Sequence, residues 1–102
     1  MKIYILTEEA WDEFYILGCY TSLDHAKHIA LSRENAHRRV QNDHFASLPD
    51  IYKGEHYDPL TADMWRQGET HPTNGLAMGS KVNHWWLEGA DSYNIYERRV
   101  IV

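Results

Sequence analysis

The 102-residue chain carries 10 Lys and Arg against 15 Asp and Glu, a formal net charge of −5 with histidine neutral, and its apolar share is 43%. That length fits one domain spanning the whole chain, small enough that each buried residue counts, and the balanced composition sets aside the disordered, fibrous and membrane classes. Acids spread through both halves leave no basic footprint of the kind a general nucleic-acid binder needs to neutralise phosphates.

Taken in chain order, Lys2 to Thr7 and Phe14 to Tyr20 are rich in β-branched and aromatic residues and predict a hairpin. Its loop, about Glu8 to Glu13, carries Trp11 at the tip, and Gly18 within the second run points to a bulge or a close backbone approach. Thr21 and Ser22 then offer helix caps, with Asp24 in the first turn where its charge opposes the helix dipole. Leu23, Ala26, Ile29, Ala30, Ala36 and Val40 recur at three- and four-residue spacing, so a helix with one apolar stripe should reach about Gln41.

From Asn42 to Ser80 that periodicity is lost and Pro49, Gly54, Pro59, Gly68, Pro72, Gly75 and Gly79 punctuate a long irregular segment. Within it Thr61 could cap a short helix over Ala62 to Gln67, stopped by Gly68 and anchored by Met64 and Trp65, and Pro72-Thr73-Asn74-Gly75 has the residue chemistry of a turn. Lys81 to Leu87 and Tyr93 to Val102 read as two more strands joined across Glu88 to Ser92. The expected fold is therefore α+β: a mainly antiparallel four-stranded sheet with one long helix on one face.

Cys19 is the sole cysteine, which rules out an intramolecular disulfide and a multi-thiolate zinc site and suits a reducing compartment. The stretch Met1 to Glu9 runs into acids without the apolar core of a signal peptide, and no run approaches the ~20 apolar residues of a membrane span. A cytoplasmic location without membrane contact is the expectation.

Several constellations bear on chemistry. His25 and His28 would share a helix face, a spacing metals use, but no third ligand is nominated and a solvated polar pair is the plainer reading, so neither metal nor cofactor is expected. Cys19 among seven histidines invites a thiol nucleophile, yet between Gly18 and Tyr20 in an apolar strand it reads as a small buried hydrophobe. No phosphate-binding loop, dinucleotide fingerprint, nucleophile elbow or zinc-protease motif occurs, and the chain is read as non-catalytic. Arg33, Arg38 and Arg39 make one side of the helix basic, and with stacking aromatics they would form the apparatus of a small nucleic-acid binder, the alternative function.

Aromatic residues reach 13%, with Trp11, Trp65, Trp85 and Trp86 among them. Adjacent residues of a strand leave opposite faces, so Trp85 and Trp86 cannot both lie under the helix; one needs cover from the middle segment, a second subunit or a partner. These four tryptophans are the expected anchors for a protein partner, and a homodimer is one form this could take.

Met1 to Glu9, the run Leu17-Gly18-Cys19-Tyr20 and the following Ser22-Leu23-Asp24-His25-Ala26-Lys27 resemble a loose group of small uncharacterised proteins from phages and bacteria that open with a hairpin, enter a helix through a Ser-x-acid-x-Ala-Lys pattern and close with an aromatic strand. The likeness covers roughly the first forty and last twenty residues. It implies a phage or mobile-element origin and a small accessory protein that modulates or inhibits a host or defence protein by binding it.

Overall fold

The structure, a computed structural model, describes residues 1–49, 56–74 and 80–101. Strands β1 (Lys2–Glu9) and β2 (Phe14–Tyr20) form the expected antiparallel hairpin, and Ala10 closes its turn by donating its N–H to Glu13 O at 3.0 Å. Helix α1 (Leu23–Ala46) starts where the sequence places it: Ser22 is extended and its hydroxyl accepts the His25 N–H at 3.2 Å, satisfying a donor that the first turn leaves orphaned. Strands β3 (Arg66–Thr70), β4 (Val82–Glu88) and β5 (Ser92–Arg99) complete one sheet of order β2-β1-β5-β4-β3, antiparallel throughout.

Among the described residues the sheet thus has five strands rather than four. The additional strand, β3, comes out of the segment read as irregular, and the helix expected over Ala62 to Gln67 is a single 3-10 turn at Ala62–Met64. Arg66-Gln67-Gly68-Glu69-Thr70 lacks apolar alternation; it is extended because the edge of β4 offers its backbone groups partners from Arg66↔Trp86 to Thr70↔Val82. The turn expected over Pro72 to Gly75 ends outside the described residues, and Gly54, Gly79 and Val102 lie outside them too; the strand expected over Tyr93 to Val102 is β5, which ends at Arg99.

One face of the sheet packs on α1. Leu6, Leu87 and Ile95 are fully or almost fully buried there with Tyr93, Ala26 and Ala30, and Tyr4, Leu17, Tyr20, Leu23, Trp65 and Trp85 pack around them. Each of the large aliphatic side chains contributes about 1.5–3 kcal/mol by leaving water, and the alanines let the helix backbone approach the strands. The apolar stripe was expected to run on through Ala36 and Val40, but both are exposed, Val40 at 67%. The buried row is Ala26, Ala30 and Glu34, at steps of four, and α1 continues five residues past Gln41. That second half is held by a different device: Asn42 exchanges two hydrogen bonds with the Tyr57 backbone (2.7 and 2.9 Å), and Asn35, two turns earlier, exchanges two with Leu60 (2.8 and 2.9 Å). Between them Arg38 donates to Asp58 O at 2.9 Å. Three side chains of the helix therefore grip the main chain of residues 57–60, which satisfies backbone groups that no strand pairs.

Candidate functional site

Sheet edges are the natural starting point, because an edge strand presents unpaired N–H and C=O groups. Among the described residues β2 pairs with β1 alone. Its register shifts midway: Leu6 stands opposite Gly18 and Thr7 opposite Ile16, leaving Leu17 as an inserted residue. Such a bulge changes which face successive side chains take. Phe14 and Ile16 lie on the face of Glu9 and Thr7, away from the helix; after the bulge Cys19 shares that face with Ile5, while Leu17, Gly18 and Tyr20 are on the helix side. Gly18 leaves the space that the Tyr20 ring takes there: a Cβ would come within 2.7 Å of its hydroxyl and displace it.

The consequence is an apolar surface at one end of the molecule. Trp11 on the turn is fully exposed, Ile16 is 54% exposed with Phe14 and Cys19 exposed on the same face, and Tyr15, 51% exposed, leaves the opposite face beside Glu8. Tyr15 donates to Glu13 Oε2 at 2.8 Å, and that hydrogen bond and charge hold its phenol above the ordinary range. Cys19, expected to be a buried hydrophobe, is an exposed free thiol because β2 is an edge and the bulge turns it outward.

A second constellation surrounds Glu34. This carboxylate, 1% exposed, accepts from the Ala90 N–H at 3.0 Å and from Arg38 Nε at 3.0 Å, and it lies so close to Gly89 that a Cβ there would strike it. It ties the β4–β5 turn to α1. Glu8 meets Arg33 Nε at 2.9 Å nearby, which raises the guanidinium pKa further, and the Tyr93 phenol is pushed well above its ordinary value by burial first and by Glu8 and Glu34 next. A cleft of about 270 Å³ opens beside this group, lined by His37, Arg38, Gln41 and Tyr57 with the turn. Its charges are largely neutralised within the protein.

The face away from the helix holds a polar chain. Thr7 and Tyr96 donate to Glu9 Oε2 at 2.8 and 2.9 Å, and Asn74 stands 3.5 Å from Oε1. His84 stacks on Tyr96 (4.7 Å between centroids) with Nε2 2.7 Å from Asn94 Oδ1. Burial and the Glu9 charge push the Tyr96 phenol far above its usual range. Thr7 and Asn94 are buried and their polar atoms are partnered, so the arrangement is a satisfied structural network.

The four tryptophans are dispersed. Trp11 is at the hairpin tip. Trp65 packs on the core, with its buried indole N–H unpaired among the described residues. Trp85 and Trp86 do leave opposite faces: Trp85 meets Tyr4 edge-on at 5.8 Å on the helix side, and Trp86 lies beside His84 at 4.9 Å, over Gly68. Both are half-buried by the chain itself. Of the arginines, Arg33 and Arg38 are paired with Glu8 and Glu34, and Arg39 is exposed. His25 packs against the Tyr20 ring and His28 is 3.5 Å from the Ser32 hydroxyl. Among the described residues no three metal-ligating side chains converge, and no helix is long and apolar enough to cross a membrane.

Sequence reasoning passed over Phe14, Tyr15 and Ile16 because a Phe-Tyr-Ile-Leu run reads as core until the strand order is known. Glu34 was legible in one respect, its four-residue step from Ala30. Comparison with protein-family models, with curated proteins and with solved structures gives no match.

Proposed function

We propose that the chain is a non-catalytic protein-binding module that receives its partner along β2 and the β1–β2 turn, with Trp11, Phe14, Tyr15 and Ile16 as anchors. The observation that carries this reading is an uncharged edge strand that exposes Phe14 and Ile16 on one face and Tyr15 on the other, next to Trp11 on the turn, while most other aromatic residues among the described ones are packed. An edge of this kind supplies affinity through main-chain hydrogen bonds and specificity through alternate side chains, the mode of β-strand addition. Aromatic anchors on a rim of acids, here Glu8, Asp12 and Glu13, match the usual anatomy of a binding patch. An accessory protein that modulates its target by occupying the target's surface fits the reading, and the phage-like opening and closing segments point the same way.

The test is affinity capture from the producing cell with the folded chain, comparing the native sequence with a Trp11→Ala, Ile16→Lys double variant and with Arg39→Ala. The expected result is a protein retained in stoichiometric amount by the native chain and by Arg39→Ala and lost with the double variant. Equal retention by all three, or by none, overturns the assignment.

A further inference from the structure

The uncharged edge fits one occupant in particular. We propose that β2 pairs antiparallel with β2 of a second copy of this chain, joining two five-stranded sheets into one about a two-fold axis between Leu17 and Gly18. The inference rests on the binding reading of the same strand and names its partner.

The bulge restricts the registers in which the whole of β2 can pair with itself. In an antiparallel pair, residues directly opposite each other must lie on the same face. An axis between Ile16 and Leu17 would set an outward side chain against a helix-side one, and an axis through Leu17 would do the same to Phe14 and Tyr20. With the axis between Leu17 and Gly18 the faces agree: Leu17 meets Gly18, Ile16 meets Cys19 and Tyr15 meets Tyr20 of the other copy. A large side chain then faces a small one at the two central positions, which is the complementarity a self-pairing strand needs, and a two-fold contact is isologous by construction.

Charge agrees with the same placement. The acids Asp12 and Glu13 precede β2, while the N-terminal end of α1 follows it, carrying His25, Lys27 and His28 with Asp24. Antiparallel pairing brings the start of each β2, where the acidic turn with Asp12 and Glu13 ends, to the end of the other copy's β2, where its helix begins, twice over. A foreign strand would have to supply that pattern independently. No charged residue stands within β2 itself to resist the pairing.

Cys19 makes the register testable. An Ile16→Cys variant places a cysteine directly opposite Cys19 of the other copy, within the ~4.4–6.8 Å Cα spacing a disulfide needs. In the native chain the two Cys19 residues would be three positions apart along the strands, about 10 Å, too far to join. Sedimentation equilibrium over a micromolar to millimolar range should show a reversible dimer for the native chain, weakened about a hundredfold or more by Ile16→Lys. Mild oxidation with oxidised glutathione should join Ile16→Cys into a covalent dimer that is lost on adding Cys19→Ser. Ile16 is exposed, so both variants should keep the native far-ultraviolet circular dichroism. A native chain that stays monomeric throughout overturns the self-pairing, as does a dimer indifferent to Ile16→Lys. A monomer that still captures a partner through Trp11 and Ile16 sinks this inference alone, whereas loss of both sinks the binding reading as well.

Discussion

The two edges of the sheet are built on opposite principles. β3 is five residues long, carries Arg66 and Glu69, and has Glu69 held by Lys81 at 2.8 Å. β2 is seven residues long, carries no charge and leaves Phe14, Tyr15, Ile16 and Cys19 in water. Short, charged strands are how a protein keeps a free edge from pairing, and β3 follows that rule. Within β2 the bulge at Leu17 is the sole such device, and it selects a register as much as it resists one. The contrast teaches that an edge can be read by what it lacks: protection is omitted at one end of this sheet and supplied at the other, and the bare end is where the proposed contact is placed.

The comparison presupposes one continuous sheet, and the largest expected effect comes from breaking that. Glu34→Ala removes the buried carboxylate that holds Arg38 and the β4–β5 turn, and should cost about 3–5 kcal/mol in a chemical denaturation midpoint analysis. A loss under about 1 kcal/mol would show that the turn holds α1 without it. Next, lysine placed on each edge separates them: Ile16→Lys should abolish capture or pairing, while Gln67→Lys on β3 should leave both intact, with stability changed by under about 0.5 kcal/mol in either case because both positions are exposed. Equal effects would dissolve the distinction between edges.

Glycines sharpen it further. Gly18→Ala must displace the Tyr20 phenol and should cost about 1–3 kcal/mol, whereas Gly68→Ala meets the Trp86 ring at 3.4 Å, an ordinary contact, and should be nearly neutral by thermal melting. The smallest effect lies in the shared centre. Tyr93 and Tyr96 are both shifted upward from the ordinary tyrosine value of 10.0. Their contribution is fully present below about pH 10, where folded and unfolded chains are both neutral at these sites, and is lost at higher pH as the unfolded chain ionises first. Tyr96→Phe should therefore flatten the fall of melting temperature above pH 10; an unchanged slope would mean that the Tyr96 phenol is not held neutral by the fold.

Much of this fold was legible. Ser22 with Asp24 marked the start of α1, and the runs on either side of Trp11 marked the hairpin, because caps and strand propensity act locally. β3 was not legible, since Arg66 to Thr70 is extended through its pairing with β4 and has no pattern of its own. The last five residues of α1 escaped for a similar reason: its second half is secured by Asn35, Arg38 and Asn42 holding residues 57–60, contacts made between polar side chains and main chain that hydrophobic spacing does not register. The candidate site was half legible. Trp11 stood out on its loop, but Phe14 to Ile16 could be assigned to a surface only after β2 was known to be an edge.

The central seam of the sheet joins its first strand to its last: Lys2 pairs with Arg99 and Glu9 with Ser92. During synthesis the β1–β2 hairpin emerges some eighty residues ahead of β5, so both of its edges wait unpaired while the rest of the chain is made. The nascent hairpin therefore has two edges without a partner until its own C-terminal strand arrives, and one of them, β2, keeps an unpaired edge among the described residues of the finished sheet.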